Sequence, residues 1–242
     1  MTYNEEANIA RCLESVKALA DEILIVDSFS NDRTVEIAKQ FGARIEMHPF
    51  VTFADQRRAM YAMATHDWIL TLDADEYLSP ELMSSVKKTM AGPVFDAYSS
   101  NRKSKIAGTW LNHGSWYPDR KIRLFNRNKA RVNGIDVHES VDPLPGAMIS
   151  HLCGDLMHLA GESIDTRYQK INLYSTKAAE GMYKQGLHTN WFRISFKPMI
   201  RFISVYLVRL GILDGFYGYV IAKSEAHYVW LRETKLKALS KG

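Results

Sequence analysis

Cysteine is nearly absent from this chain of 242 residues, with Cys12 and Cys153 the whole supply. Two thiols with no metal-ligand spacing exclude a zinc framework and a disulfide-stapled secreted scaffold, so a reducing, cytosolic setting is the simpler expectation. The sequence also lacks a leader pattern, since Met1 is followed by polar Thr2-Tyr3-Asn4-Glu5-Glu6. No run approaches the roughly 20 apolar residues that a spanning helix needs. The most apolar stretch, Phe202 to Leu213, is interrupted by Arg209 and followed by Asp214. Internal repeats and low-complexity tracts are absent, and a Gly-rich phosphate loop near the first strand is missing. That last absence counts against a nucleotidyltransferase.

Hydrophobic residues make up 46% of the chain and charged residues 24%, enough for one globular domain with an extension. The net charge of +4 is uneven: the segment from Leu187 onward carries +6 and the body before it −2. A basic tail on a slightly acidic body points to an anionic surface, either membrane or nucleic acid. Trp191 to Phe202 mixes aromatic, aliphatic and basic residues, which reads as an interfacial helix or as a helix packed on the body. The expected division is residues 1–160 as the binding and catalytic domain and 161–242 as a helical, basic extension.

The first half alternates helix and strand patterns. Helices are expected over Ala7–Ala20, Thr34–Phe41, Phe53–Ala64 and Pro80–Met90, with strands at Glu22–Asp27, Arg44–Met47 and Trp68–Leu72. That order implies an α/β fold with a doubly wound, mostly parallel sheet, binding ligands at strand carboxyl ends. Acids crowd those ends: Asp27 closes one strand, and Asp73, Asp75 and Glu76 follow another. Clustered carboxylates repel unless a cation joins them, and hard oxygen ligands suit Mg²⁺ or Mn²⁺. In isolation the same cluster reads as an acidic cap for the helix starting near Ser79-Pro80. From Phe95 to Ser150 we expect mixed strands and loops closing over the site, and a helix from Ser163 to about Gln185.

Three motifs in order, Tyr3-Asn4-Glu5-Glu6, Val26-Asp27-Ser28-Phe29-Ser30-Asn31-Asp32-Arg33-Thr34 and Leu72-Asp73-Ala74-Asp75-Glu76, resemble the family 2 glycosyltransferases of GT-A fold. Further matches at Gln56-Arg57-Arg58, Trp116-Tyr117-Pro118-Asp119, Arg123-Leu124-Phe125, Val137-His138-Glu139 and Leu213-Asp214-Gly215 resemble the bacterial subgroup that builds the lipopolysaccharide core, the lipooligosaccharide β-1,4-glucosyltransferases. The likeness implies an inverting transfer of a hexose, glucose above all, from a nucleotide-diphosphate sugar (a UDP-sugar) to a lipid-linked saccharide at the inner face of the cytoplasmic membrane. It further implies that Tyr3, Glu5 and Asp27 line the base and ribose pocket. Asp73 contacts ribose or metal, and Asp75 binds the metal, with His158 as a third ligand or a structural histidine. Arg57 neutralises the diphosphate or lies on a solvated helix face. Glu139 is the chosen general base and Asp119 the reserve.

Trp110, Trp116 and Tyr117, set among Arg102, Lys103, Lys105, Arg120, Lys121 and Arg123, would suit a phosphorylated sugar acceptor. Nucleic acid is not expected as a partner, because three acidic strand ends repel a polyanion. A non-catalytic membrane-associated sugar-binding protein is the alternative from another class. The family places an apolar strand ahead of Thr2, so the natural start is expected upstream of Met1.

Overall fold

The computed structural model describes residues 1–133, 140–160 and 163–240. In chain order the elements are α1 (Ile9–Glu14), β1 (Leu24–Asp27), α2 (Thr34–Gln40), β2 (Arg44–Met47), α3 (Phe53–Met63), β3 (Trp68–Leu70), β4 (Glu76–Leu78) and α4 (Pro80–Met90). There follow β5 (Ala97–Ile106), β6 (Thr109–Trp110), β7 (Asp119–Asn126), β8 (Ala130–Asn133), β9 (Ser140–Pro143), β10 (Ile149–His158), α5 (Ile164–Lys184), α6 (Trp191–Ile203) and α7 (Gly215–Leu239).

The chain forms two compact units. One comprises Met1–Arg102 with Arg120–Leu159, and the other Lys103–Asp119 with Ala160–Gly242.

Local signals set the helix starts in the first unit. The Ser79 hydroxyl accepts the Leu82 amide at 3.2 Å, and Pro80 and Glu81 occupy the first turn of α4, while Lys87 and Lys88 face its carboxyl end. Thr52 caps α3 in the same way, accepting the Asp55 amide at 3.1 Å. A Cβ on Gly154 would collide with the Leu82 backbone, so only glycine lets β10 approach α4 this closely. Leu78, Leu82, Val86, Tyr98, Leu124, Leu152 and Leu156 form the resulting core.

The α/β class is as expected, but the pairing is more antiparallel than the helix–strand alternation suggests. Strands β1 and β2 pair in parallel, in register Ile25 with Ile45. The larger sheet runs β3-β7-β5-β10-β4, with β3 antiparallel to β7 and β10 antiparallel to β4. The region expected as mixed strands and loops supplies the ten-residue strand β5 to that sheet, and a second ten-residue strand, β10, starts at its end. Their Ser, Asn, Lys and His residues mask the apolar alternation on which strand recognition depends. Ahead of Tyr3, Thr2 makes one parallel bridge to Asp27.

Between β1 and β3 lies an apolar slot of about 380 Å³, lined by Leu13, Leu24, Ile25, Ile69, Leu70 and Leu72 among others. It leaves Trp68, Ile69 and Leu70 half-buried, where a covered central strand would be fully enclosed.

The second unit has its own core of Ile106, Leu111, Val205, Ile221 and Ala222. Asn190 caps α6 by accepting the Arg193 amide at 2.9 Å, and Ser163 caps α5 by accepting the Thr166 amide at 3.1 Å. After α6 the chain makes a π-turn at Ser204–Val208 and a 3₁₀ turn at Gly211–Asp214, so the apolar run to Leu213 is not one helix. A Cβ on Gly218 would strike the Gly211 carbonyl oxygen, which fixes glycine where α7 passes that turn. Fully buried Glu233 of α7 accepts from the Thr189 hydroxyl at 2.6 Å, Lys197 Nζ at 2.8 Å and Arg232 at 3.0 Å.

Candidate active site

The loop after β1 and the amino-terminal segment are laced together by hydrogen bonds that the sequence pattern did not reveal. The Asn4 amide donates to Ser30 Oγ at 2.9 Å, and Asn4 Oδ1 accepts the Asn31 amide at 2.9 Å. Likewise the Glu5 amide donates to Thr34 Oγ1 at 2.7 Å and the Glu6 amide to Asp32 Oδ2 at 3.0 Å. Asn4 and Phe29 both adopt positive φ, 54° and 63°. Asp27 sits beneath this lacing, fully buried, accepting the Thr2 hydroxyl at 2.8 Å and the Ser30 amide and hydroxyl at 2.8 and 2.6 Å. Its carboxylate holds the turn, while Tyr3 beside it is 59% exposed, a ring available for stacking.

The acids after β3 divide into two groups. Asp73 Oδ1 accepts Arg57 Nη2 at 2.9 Å, and its Oδ2 accepts Arg123 Nη2 at 3.0 Å. The same Arg123 nitrogen reaches Glu76 Oε1 at 2.5 Å, and Glu76 Oε2 accepts the Asp73 amide at 3.1 Å. Arg102 stands 3.8 Å from Glu76 Oε1. Burial alone would raise the Asp73 carboxyl, but Arg123 and Arg57 hold it well below the ordinary range. Burial pushes Glu76 up, and the neighbouring Asp73 charge adds to this against the pull of Arg123.

Asp75 points elsewhere. Its Oδ2 lies 3.2 Å from His158 Nε2, and both side chains remain partly open to solvent. Adjacent pairing puts them there, because His158 ends β10 opposite Glu76 of β4 and the Leu159 amide donates to the Asp75 carbonyl at 2.9 Å. Glu5 belongs to this acidic neighbourhood. Burial raises its pKa, and the charges of Asp75, Asp32 and Asp73 push the same way against a hydrogen bond from Asn8. Below it, Cys12 Sγ contacts the Asp73 carbonyl at 3.7 Å, and burial pushes its thiol up to about 12.

The expected site residues therefore fall into place unevenly. Glu5, Asp73 and Asp75 share one electrostatic neighbourhood, and His158 joins Asp75. Among the described residues no group of three His, Cys, Asp or Glu side chains is arranged to hold a metal ion, since Asp73 is turned toward arginines. Asp75 and His158 do suit two adjacent positions of an octahedral ion, because cis ligands at about 2.1 Å stand about 3 Å apart.

Arg57 is buried against Asp73 and Thr71, not on a solvated helix face. Asp119 opens β7 and belongs to the second compact unit. Glu139, with Val137 and His138, lies outside the described residues.

Arg123 is the functional residue whose role the pattern misassigned. Grouped by sequence with cations for an acceptor, it instead bridges Asp73 and Glu76, sharing Asp73 with Arg57 and standing far closer to Glu76 than Arg102 does. The aromatic cluster in the second unit is also internally paired. Lys103 lies over Tyr117, Lys105 over Trp110, and Arg167 over Trp116 at 4.8 Å.

A family model described as glycosyl transferase family 2 matches residues 1–148. The chain belongs to that family. It is a glycosyltransferase, and the GT-A α/β class with a helical carboxyl-terminal extension accords with this. Over 252 residues it is 31% identical to an uncharacterized glycosyltransferase of Rickettsia typhi, covering 99% of this chain and 86% of the relative. It is 28% identical over 241 residues to the lipopolysaccharide core biosynthesis glycosyltransferase LpsC of Rhizobium meliloti, covering 96% and 88%. Among solved structures, glucosyl-3-phosphoglycerate synthase of Mycobacterium tuberculosis, determined with Mn²⁺, UDP and glucosyl-3-phosphoglycerate, shares 23% identity over 44% of the glycosyltransferase and 42% of that chain, with a TM-score of 0.35. TarS of S. aureus aligns over 96% and 88% at 15% identity, with a TM-score of 0.46.

Proposed function

We propose that this glycosyltransferase moves a hexose, glucose, from a UDP-sugar to a lipid-linked saccharide of the lipopolysaccharide-core kind, with inversion and with Mg²⁺ or Mn²⁺. The Asp75–His158 pair carries the reading, because it is the acid of the cluster left facing a second ligand rather than an arginine. Relatedness to a core-biosynthesis glycosyltransferase supports the acceptor class. A bound divalent ion would neutralise the diphosphate as it leaves.

The protein's own groups do the rest. Tyr3 and Glu5 bind the nucleoside, with Asp27 fixing the loop that carries them. Arg57 and Arg123 keep Asp73 ionised, so the anionic pocket wall has a fixed charge and geometry. The acceptor hydroxyl oxygen attacks the anomeric carbon while Glu139, or Asp119 in its place, takes the hydroxyl proton. The anomeric carbon–oxygen bond breaks, and its electron pair leaves with the nucleoside diphosphate. In a thermal-shift screen of nucleotide sugars, UDP-glucose with Mn²⁺ is expected to raise the melting temperature by several degrees, and UDP-glucose with EDTA to leave it unchanged. Equal shifts under both conditions would remove the metal from the proposal, and release of UDP on adding acceptor separates the enzyme from a sugar-binding protein.

The second unit supports docking at the inner membrane face. No residue of α6 is buried, and Trp191, Phe192, Phe196, Met199 and Ile200 are exposed, the first by 77%. Among the described residues no helix is long and apolar enough to cross a bilayer. Lys197 and Arg201 are already paired with Glu233 and Glu225, so apolar area rather than charge supplies most of the attraction. Co-flotation with phosphatidylglycerol vesicles is therefore expected to survive 0.5 M salt, where the Debye length is only about 4 Å. Phe192→Asp with Phe196→Asp should abolish it, and flotation unaffected by that double change would remove α6 as the contact.

A further inference from the structure

The loop after β6 carries a histidine whose ring is held from behind by a buried acid. Asp214 closes the 3₁₀ turn before α7, and only 3% of its side chain is exposed. Its Oδ2 accepts the backbone amides of Asn112 and His113 at 3.0 and 2.8 Å, and its Oδ1 lies 2.9 Å from His113 Nδ1. The seat is tight. Gly114, at a φ of 79°, donates its amide to the Arg209 carbonyl at 2.8 Å, and a Cβ on Gly211 would strike the Val205 carbonyl oxygen. Three residues beyond His113, Trp116 lies under the Arg167 guanidinium, whose Nε donates to Ser224 Oγ of α7 at 2.6 Å. The loop is thus pinned to the helices of its own unit on both sides of Ser115.

Two backbone bonds to Oδ2 already hold the loop, so the third contact serves to orient the ring. A carboxylate at Nδ1 fixes the ring proton on that nitrogen and leaves a lone pair on Nε2, which points away from Asp214. The His113 side chain is 32% exposed, and among the described residues its ring bonds to Asp214 alone. An imidazole backed by a carboxylate also suits a metal. Among the described residues, however, no third His, Cys, Asp or Glu joins the pair in a group fit for one. What a bare ring nitrogen accepts is a hydroxyl or an N–H. A diphosphate offers it only acceptor oxygens, whereas a sugar offers hydroxyls. We infer that His113 binds a hydroxyl of the acceptor saccharide through Nε2, and that Asp214 is the residue that positions it. This rests on the reading of the acceptor as a saccharide, and it stands whether or not the Asp75–His158 pair binds metal.

The probe is the core oligosaccharide released from lipopolysaccharide by deacylation, added to the full chain in EDTA without nucleotide sugar. Proton–nitrogen correlation spectra of the imidazoles should show His113 protonated at Nδ1 and bare at Nε2, and the oligosaccharide should move the Nε2 resonance saturably. His113→Asn separates holding the loop from holding the sugar. Its side-chain amide reaches Asp214 as Nδ1 does, but it offers nothing where Nε2 stood. Binding should weaken about tenfold in that variant, the factor for one lost hydrogen bond, with melting unchanged. Asp214→Asn should mix the two ring tautomers and weaken binding as well. If that variant fails to fold, the unaltered protein and His113→Asn decide. Undiminished affinity in His113→Asn, or saturable binding with Nε2 unmoved, overturns this inference and leaves the saccharide acceptor in place. No binding of the oligosaccharide at all would remove both.

Discussion

Asp75→Ala is expected to lower UDP release by about 10³-fold, the scale set by removing one fixed electrostatic contact to a leaving group. The fold should tolerate the change. Asp75 is 28% exposed at its side chain and pairs with His158, so melting should move by no more than about 0.5 kcal/mol in equivalent stability. Its removal also deletes one of the charges that raise Glu5, whose carboxyl should then titrate at lower pH. Asp75→Asn separates charge from shape, and its loss should approach that of alanine if the carboxylate serves a cation. His158→Ala should cost less, because an imidazole contributes a ligand but no charge. Undiminished turnover in Asp75→Ala would end the metal role proposed for this pair.

Arg123→Met should destabilise the protein by about 3–5 kcal/mol, the usual penalty for leaving buried charge without its partner. Asp73 keeps Arg57, so the loss falls mainly on Glu76, fully buried and left with Arg102 at 3.8 Å. Burial already raises the Glu76 pKa, and the variant should raise it further. A carboxyl raised in the folded state binds its proton more readily there than in the unfolded chain. Stability is therefore retained below the unfolded value near 4.5 and lost as pH rises through the folded one. Urea unfolding should accordingly show a smaller deficit at pH 5 than at pH 8. Adding Glu76→Gln to Arg123→Met should recover part of the loss by deleting the orphaned charge. An equal deficit at both pH values, with no recovery, would place the Arg123 contribution in packing instead.

Such couplings explain what could be read from the sequence. Helix α4 was legible in full, since Ser79, Pro80, Glu81 and Lys87-Lys88 are all local signals. Strand β2 matched at Arg44–Met47 for the same reason. Helix α1 is shorter than its apolar pattern, ending at Glu14, because the following residues turn as Leu19 packs toward the core around Leu78. Strands β5 and β10 were obscured by polar faces, and their antiparallel pairing depends on contacts far apart in the chain. The acids of the candidate site were visible as residue types. Their division was not: which carboxylate meets arginine and which meets histidine depends on where β7 and β10 lie in the sheet.

Cys12 has a practical consequence. Its thiol is enclosed beneath the Asp73 carbonyl and stays protonated at any working pH, whereas Cys153 is exposed on β10. Thiolate chemistry is therefore confined to one position without mutating either residue. A maleimide dye or nitroxide placed on Cys153 would report from the strand that ends at His158, and would follow the candidate site while leaving its acids untouched.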